Sequence, residues 1–225
     1  GSETAANPYH YGHLPEVTVK PDGTGSIVKH FCLGRISHEL VQVMPDERTV
    51  LMGDDATNGG LFMFIADAAR DLSAGTLYVA RWTATRTTNG GAGTLKWIKL
   101  GHATSAEIKA LVDGGIRHTD ILDVKTADPL DASYTAIAYS GATQWVKLLP
   151  AQDKAAAFLE THRYAALKGG SMAFTKMEGT TVNVKDKIAY SAMSAVRSQM
   201  RTALGLDKVI NAGAVYALNL AGSQS

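Results

Sequence analysis

The sequence predicts a mainly β protein with a helical region inserted between two β units. Three observations carry this reading. Residues 30–82 form a series of short strand-like runs, each closed by turn chemistry. They describe an up-and-down sheet the size of a propeller blade or part of a sandwich. Residues 104–170 carry the helical signals, and β-type patterning returns over 171–225. The expected organisation is therefore β over 3–103, helical over 104–170 and β again over 171–225.

In chain order, residues 3–13 are polar, aromatic and turn-rich, a loop held by Tyr9 and Tyr11. Leu14 to Lys20 alternates as a strand, and Pro21-Asp22-Gly23-Thr24-Gly25 is a turn by residue type. Ile27 to Leu33 leads into the central stretch. There Leu40-Val41-Gln42-Val43 and Arg48 to Met52 have strand composition. Gly53-Asp54-Asp55-Ala56 and Asn58-Gly59-Gly60 punctuate the approach to a third run, Leu61 to Ile65. Ser73-Ala74-Gly75 then turns into a fourth, Thr76 to Trp82. Thr83 to Gly93 is expected as a loop, followed by the alternating strand Leu95 to Leu100.

Ser105 is a candidate N-cap for a helix with Ile108, Leu111 and Val112 at helical spacing, stopped by Gly114-Gly115. Residues 116–150 give no clear periodicity. Gln152 to Leu167, rich in Ala and anchored by Phe158 and Leu159, predicts one helix ending at Lys168-Gly169-Gly170. Val182-Asn183-Val184, a turn at Asp186-Lys187, Ile188 to Ser194 and Ala212 to Leu220 then predict strands.

Composition narrows the function classes. With 225 residues, 45% of them hydrophobic, the chain can bury a sizeable core as one domain or two small ones. The 22 basic and 21 acidic residues are spread along it, for a net charge of +1, so no nucleic-acid or membrane-surface signature exists. No apolar run is long enough to cross a bilayer as a helix. Gly1-Ser2 has the look of a cloning remnant, so a leader is not expected to be visible. The single cysteine, Cys32, excludes an internal disulfide and is expected in the core. No Ser-His-Asp arrangement, P-loop or dinucleotide fingerprint is present.

Three carboxylate positions stand out. Glu39, opening a strand behind a Gly-Arg turn, reads either as a solvated rim residue or as one of several carboxylates converging on a hard cation. Glu178, in Met177-Glu178-Gly179 before an alternating strand, reads as a turn residue. Asp54-Asp55 could bind calcium, but turn formation is the reading that the Asp preference favours.

The segments GRISHE (34–39), VLMGDDATNGGLFMFI (50–65) and SAGTLYVARW (73–82) resemble the PhoX family of bacterial alkaline phosphatases. The resemblance continues, in the same order, in FTKMEGTTVNVKDKIAYSAMS (174–194) and AGAVYALNL (212–220), and covers most of the chain outside the helical region. It implies a partial β-propeller built of antiparallel blades, with iron and calcium ions at the mouth of its channel. It further implies metal-assisted hydrolysis of a phosphomonoester and a periplasmic or secreted location, with no nucleic-acid partner and no membrane insertion.

Carried over residue by residue, the resemblance implies that Glu39 and Glu178 are metal ligands. Glu3 corresponds to the end of the family's Cys-Glu-Glu segment and is a further candidate ligand. His38 is expected to be supporting rather than ligating. Lys176 stands where the family has an Arg facing the phosphoryl oxygens. An ammonium is a single point charge where a guanidinium is a bidentate fork, so weaker phosphate stabilisation is expected. Family members are much longer, so the chain is expected to be a fragment with an incomplete site, and the remainder of the propeller is an expected partner. Two other readings stay open: a non-catalytic propeller-type binding or scaffold module, and a calcium-dependent propeller esterase or lactonase.

Overall fold

The structure, a computed structural model, describes residues 6–221. After the loop around Tyr9, β1 (Leu14–Val19) and β2 (Gly25–His30) form a separate antiparallel ribbon. The Asp22 carboxylate closes its turn by accepting from the Thr24 amide and hydroxyl.

The centre of the molecule is a five-stranded antiparallel meander. Its strands, in both chain and spatial order, are β3 (His38–Val43), β4 (Thr49–Asp54), β5 (Leu61–Ala68), β6 (Asp71–Arg86) and β7 (Ala92–Thr104). The four expected runs are thus consecutive neighbours in one sheet. The expected loop at 83–93 is mostly strand: β6 and β7 stay paired as far as Arg86 and Ala92.

β5 explains why the central stretch reads as a continuous apolar run rather than an alternating one. Phe62, Phe64 and Ala66 lie in one core cluster, while Leu61 and Met63 lie in the clusters beneath the opposite face. β4 is divided in the same way, with Val50 and Met52 on one side and Leu51 on the other. A strand covered on both faces has no polar side to show.

The inserted region covers one face. Helix α1 (Ser105–Asp113) begins one residue earlier than expected: Thr104, not Ser105, is the cap, in a reciprocal capping box with Glu107. Ser105 instead donates its hydroxyl to the Cys32 thiol at 3.2 Å. Cys32 is buried as expected, in a 3-10 turn (Phe31–Leu33), and burial pushes its thiol up to about 11.

Residues 116–150 contain a short helix, α2 (His118–Ile121), and a second sheet. Its strands β8 (Leu122–Lys125), β9 (Thr135–Tyr139) and β10 (Ala142–Leu148) pair in the order β8-β10-β9. The region expected to be helical is therefore mixed. The helix expected over 152–167 is two, α3 (Asp153–Leu159) and α4 (Thr161–Leu167), broken at Glu160. Propensity favours continuity there; Glu160 leaves the helical backbone region to place a buried carboxylate against Tyr9 and Arg163.

The opposite face of the meander is covered by β11 (Met177–Asn183), β12 (Ile188–Met193) and β13 (Ala214–Asn219), an antiparallel sheet in chain order. A short helix, α5 (Ser198–Ala203), bridges the last two strands and had no counterpart among the sequence expectations. Leu61, Ala80, Phe174, Met177, Met193 and Met200 join the two sheets in one apolar cluster. Among the described residues, no helix is long and apolar enough to cross a membrane.

Candidate active site

The candidate site forms where the end of β4 meets the start of β11. A Cβ added to Gly53 would lie 2.4 Å from the Met177 carbonyl oxygen, so only glycine allows the two backbones to come this close. The chain then loops through 55–60 and is tied to the segment before β11. Gly59 and Phe174 exchange backbone hydrogen bonds of 2.9 and 3.1 Å, and Lys176 donates its amide to the Ala56 carbonyl at 3.0 Å. Asp55 and Lys176, 121 residues apart in sequence, face each other as a result.

Lys176 lies at the centre of a charge triplet. Its Nζ donates to Asp55 Oδ1 at 2.7 Å and to Glu178 Oε1 at 3.1 Å. Hydrogen bonding to Asp55, and then to Glu178, raises the lysine above its ordinary range and keeps it charged. The backbone at Lys176 is left-handed, with φ 48°, a conformation uncommon for a side chain with a Cβ. One positive and two negative groups leave the triplet with a net negative charge.

Asp54 lies beneath the triplet. The turn residue expected from sequence is the last residue of β4, and its carboxylate is fully buried. Oδ1 accepts from the Ser37 amide at 3.1 Å; Oδ2 accepts from the Gly60 amide at 3.2 Å and from His162 Nε2 on α4 at 2.6 Å. Gly59 permits this wrapping, since a Cβ there would lie 2.8 Å from the Asp54 carbonyl oxygen. Asp55 continues the clamp by donating its amide to the Ser37 carbonyl at 3.0 Å.

The expected site residues separate accordingly. Lys176 and Glu178 are brought together. Glu39 is exposed on the edge strand β3, within an irregularity of the β3–β4 pairing between His38 and Val41. Strand β3 runs against β11, yet Glu39 takes no part in the charge triplet. His38 is supporting: Nε2 donates to the Gly34 carbonyl at 3.1 Å, and burial pushes its pKa down. Glu3 lies outside the described residues. Asp55 and His162 did not emerge as site residues from the sequence; the adjacent Asp54-Asp55 pair was the one local signal, and nothing near His162 points to Asp54.

Among the described residues, no three His, Cys, Asp or Glu side chains come together as a metal cage. The cation between Asp55 and Glu178 is the protein's own ammonium. These residues do not by themselves fit a calcium or iron site.

The sequence profile of the family described as alkaline phosphatase PhoX matches residues 2–222, nearly the whole chain. The chain belongs to the PhoX family. Among solved structures it is similar to Pseudomonas fluorescens PhoX, determined in complex with vanadate, a transition-state analogue. The two share 22% identity with a TM-score of 0.50, and the match covers 83% of this chain and 28% of that one. That likeness supports the fold: mainly β, a partial β-propeller of antiparallel sheets, with the mixed region inserted. No curated protein matches the chain. PhoX proteins are metal-dependent phosphatases.

Proposed function

We propose that the protein acts as a phosphomonoesterase of the PhoX type, with Lys176 as the cation that faces the phosphate. The observation carrying this reading is the Lys176 ammonium, held between Asp55 and Glu178 where two sheets meet. Phosphoryl transfer needs positive charge fixed where negative charge is spread over the equatorial oxygens. Two carboxylates keep Lys176 protonated and limit its travel.

The charge of the same triplet supports a role for added cations. A phosphate dianion approaching Asp55, Glu178 and Lys176 meets a net negative surface. Glu39, Glu178 and Glu3 are proposed as oxygen donors to calcium and iron, each requiring further ligands. We also propose a periplasmic or secreted location, as for the family.

The test is turnover of p-nitrophenyl phosphate with calcium and iron supplied. Wild type, with its incomplete set of metal ligands, is expected to turn over weakly, and Lys176→Ala to lose about tenfold or more of that rate. Lys176→Arg is expected to match or exceed wild type, because the guanidinium grips two oxygens. Absence of both turnover and retained metal would overturn the reading. The net negative triplet favours a second reading, a non-catalytic propeller module, and tight phosphate retention with iron present would count against that one. Cleavage of carboxyl esters without phosphatase activity would favour the calcium-dependent esterase.

A further inference from the structure

Three features of the candidate site trace back to one buried carboxylate. The Ser37 amide on Asp54 Oδ1 fixes the chain just before His38 and Glu39. The Gly60 amide on Oδ2 fixes the far end of the 55–60 loop. Asp55, the next residue, donates its amide to Ser37 and offers its carboxylate to Lys176. The only charged or titratable side chain hydrogen-bonded to Asp54 among the described residues is His162, at 2.6 Å. It comes from α4, 108 residues away.

We propose that Asp54–His162 is the positioning pair of the candidate active site: His162 orients the Asp54 carboxylate, and through Asp54 the adjoining Asp55 that holds the Lys176 ammonium. This rests on the phosphomonoesterase reading for its catalytic consequence, though not for its geometry. It makes the inserted region part of the site rather than an appendage.

The chemistry suits the role. A carboxylate at 0% exposure is costly unless its oxygens are satisfied. Two amides and one imidazole N–H supply three directions of restraint, which leaves Asp54 a single orientation. The imidazole is itself fixed by its surroundings, with the Phe62 and Tyr139 rings at centroid distances of 6.3 and 6.4 Å. Arg163, the next residue, stacks over Tyr139 at 4.0 Å and pairs with Glu160 at 2.7 Å, so this turn of α4 is held on both sides. Removing the imidazole frees one lobe of Asp54 and slackens the backbone at Asp55. Misplacement of a catalytic group by about 1 Å costs on the order of a hundredfold in rate.

The experiment compares wild type, His162→Ala and His162→Gln. Two readouts are taken: kcat and KM for p-nitrophenyl phosphate with calcium and iron, and the rate of Lys176 acetylation by acetic anhydride, followed by mass spectrometry. In His162→Ala, kcat is expected to fall about tenfold or more. KM is expected to stay within about twofold. Lys176, less tightly held by Asp55, is expected to acetylate severalfold faster, while Lys125, paired with Asp123 in the inserted sheet, keeps its rate. His162→Gln, whose amide N–H reaches Asp54, is expected to restore both values.

Unchanged Lys176 labelling in a folded His162→Ala would overturn the proposal. Equal acceleration at Lys125, or failure of Gln to rescue, would reduce the pair to a general packing role and overturn it as well. Should wild type show no turnover, the phosphomonoesterase reading fails while the labelling still decides the positioning. If His162→Ala does not fold, His162→Asn, polar but too short to reach Asp54, carries the same comparison.

Discussion

The hydroxyl of Tyr9 donates to Glu160 Oε1 at 2.6 Å across 151 residues of sequence. Both groups are buried, and Arg163 Nη1 binds the other carboxylate oxygen at 2.7 Å. Burial and the neighbouring Glu160 charge push the Tyr9 hydroxyl up, so it remains a donor at any physiological pH. The N-terminal loop is thereby pinned to the break between α3 and α4. Tyr9→Phe leaves Glu160 Oε1 buried without this donor, at a cost of about 1–3 kcal/mol. The midpoint of urea unfolding should fall with the slope unchanged.

His13 gives the fold a pH dependence. Burial pushes this imidazole down to about 4, outweighing the hydrogen bond to the Tyr9 carbonyl at 2.8 Å. Its folded pKa lies below the unfolded value of about 6.5, so the unfolded state binds the extra proton between those limits. Stability should therefore decline as pH drops from about 6.5 towards 4, by at most about 3 kcal/mol from this group. His13→Gln should flatten that part of the profile, as measured by urea midpoints between those pH values.

What was legible in the sequence followed the range over which the forces act. The meander was readable because Asn58-Gly59-Gly60 marks the start of β5 locally, and because β5 is apolar on both faces. Ser73-Ala74-Gly75, expected as a turn, instead lies within β6, and the chain reverses at Ala69-Arg70. The inserted sheet was not readable, since β9 is mostly exposed, β10 is mostly half-buried, and neither shows a clear apolar alternation. The break at Glu160 was hidden in a helix-favouring sequence because its cause, Tyr9, lies far away. At the site, Lys176 and Glu178 are two residues apart and were found together. Asp55 and His162 owe their roles to partners more than a hundred residues distant, which no spacing rule reveals.

Gly53 tests the contact between the two sheets. An alanine there would place its Cβ 2.4 Å from the Met177 carbonyl and 3.2 Å from the Met177 side chain. A backbone oxygen cannot move aside as a flexible side chain can, so β4 and β11 must separate. Overpacking of this kind costs about 1–3 kcal/mol. Since Met177 lies between Lys176 and Glu178, Gly53→Ala should lower both the melting temperature and any phosphatase activity. A remote glycine such as Gly23, with open space around it, is no guide to this effect.

Lys176→Gly separates stability from chemistry. The substitution removes two ion pairs whose groups are about one-third exposed, and exposed pairs contribute little to folding. It also relieves the left-handed backbone at φ 48°, which glycine adopts freely. The two effects oppose each other, so the melting temperature should hold or rise slightly. The amide donated to Ala56 is retained, and the loop keeps its path. Asp55 and Glu178, without their shared cation, repel each other and any phosphate. Hydrolysis of p-nitrophenyl phosphate should fall to the level of Lys176→Ala, and added amines should not restore it, because a free amine lacks the positioning of the side chain. A parallel loss of melting temperature and activity would show that Lys176 is a fold residue rather than the phosphate-facing cation.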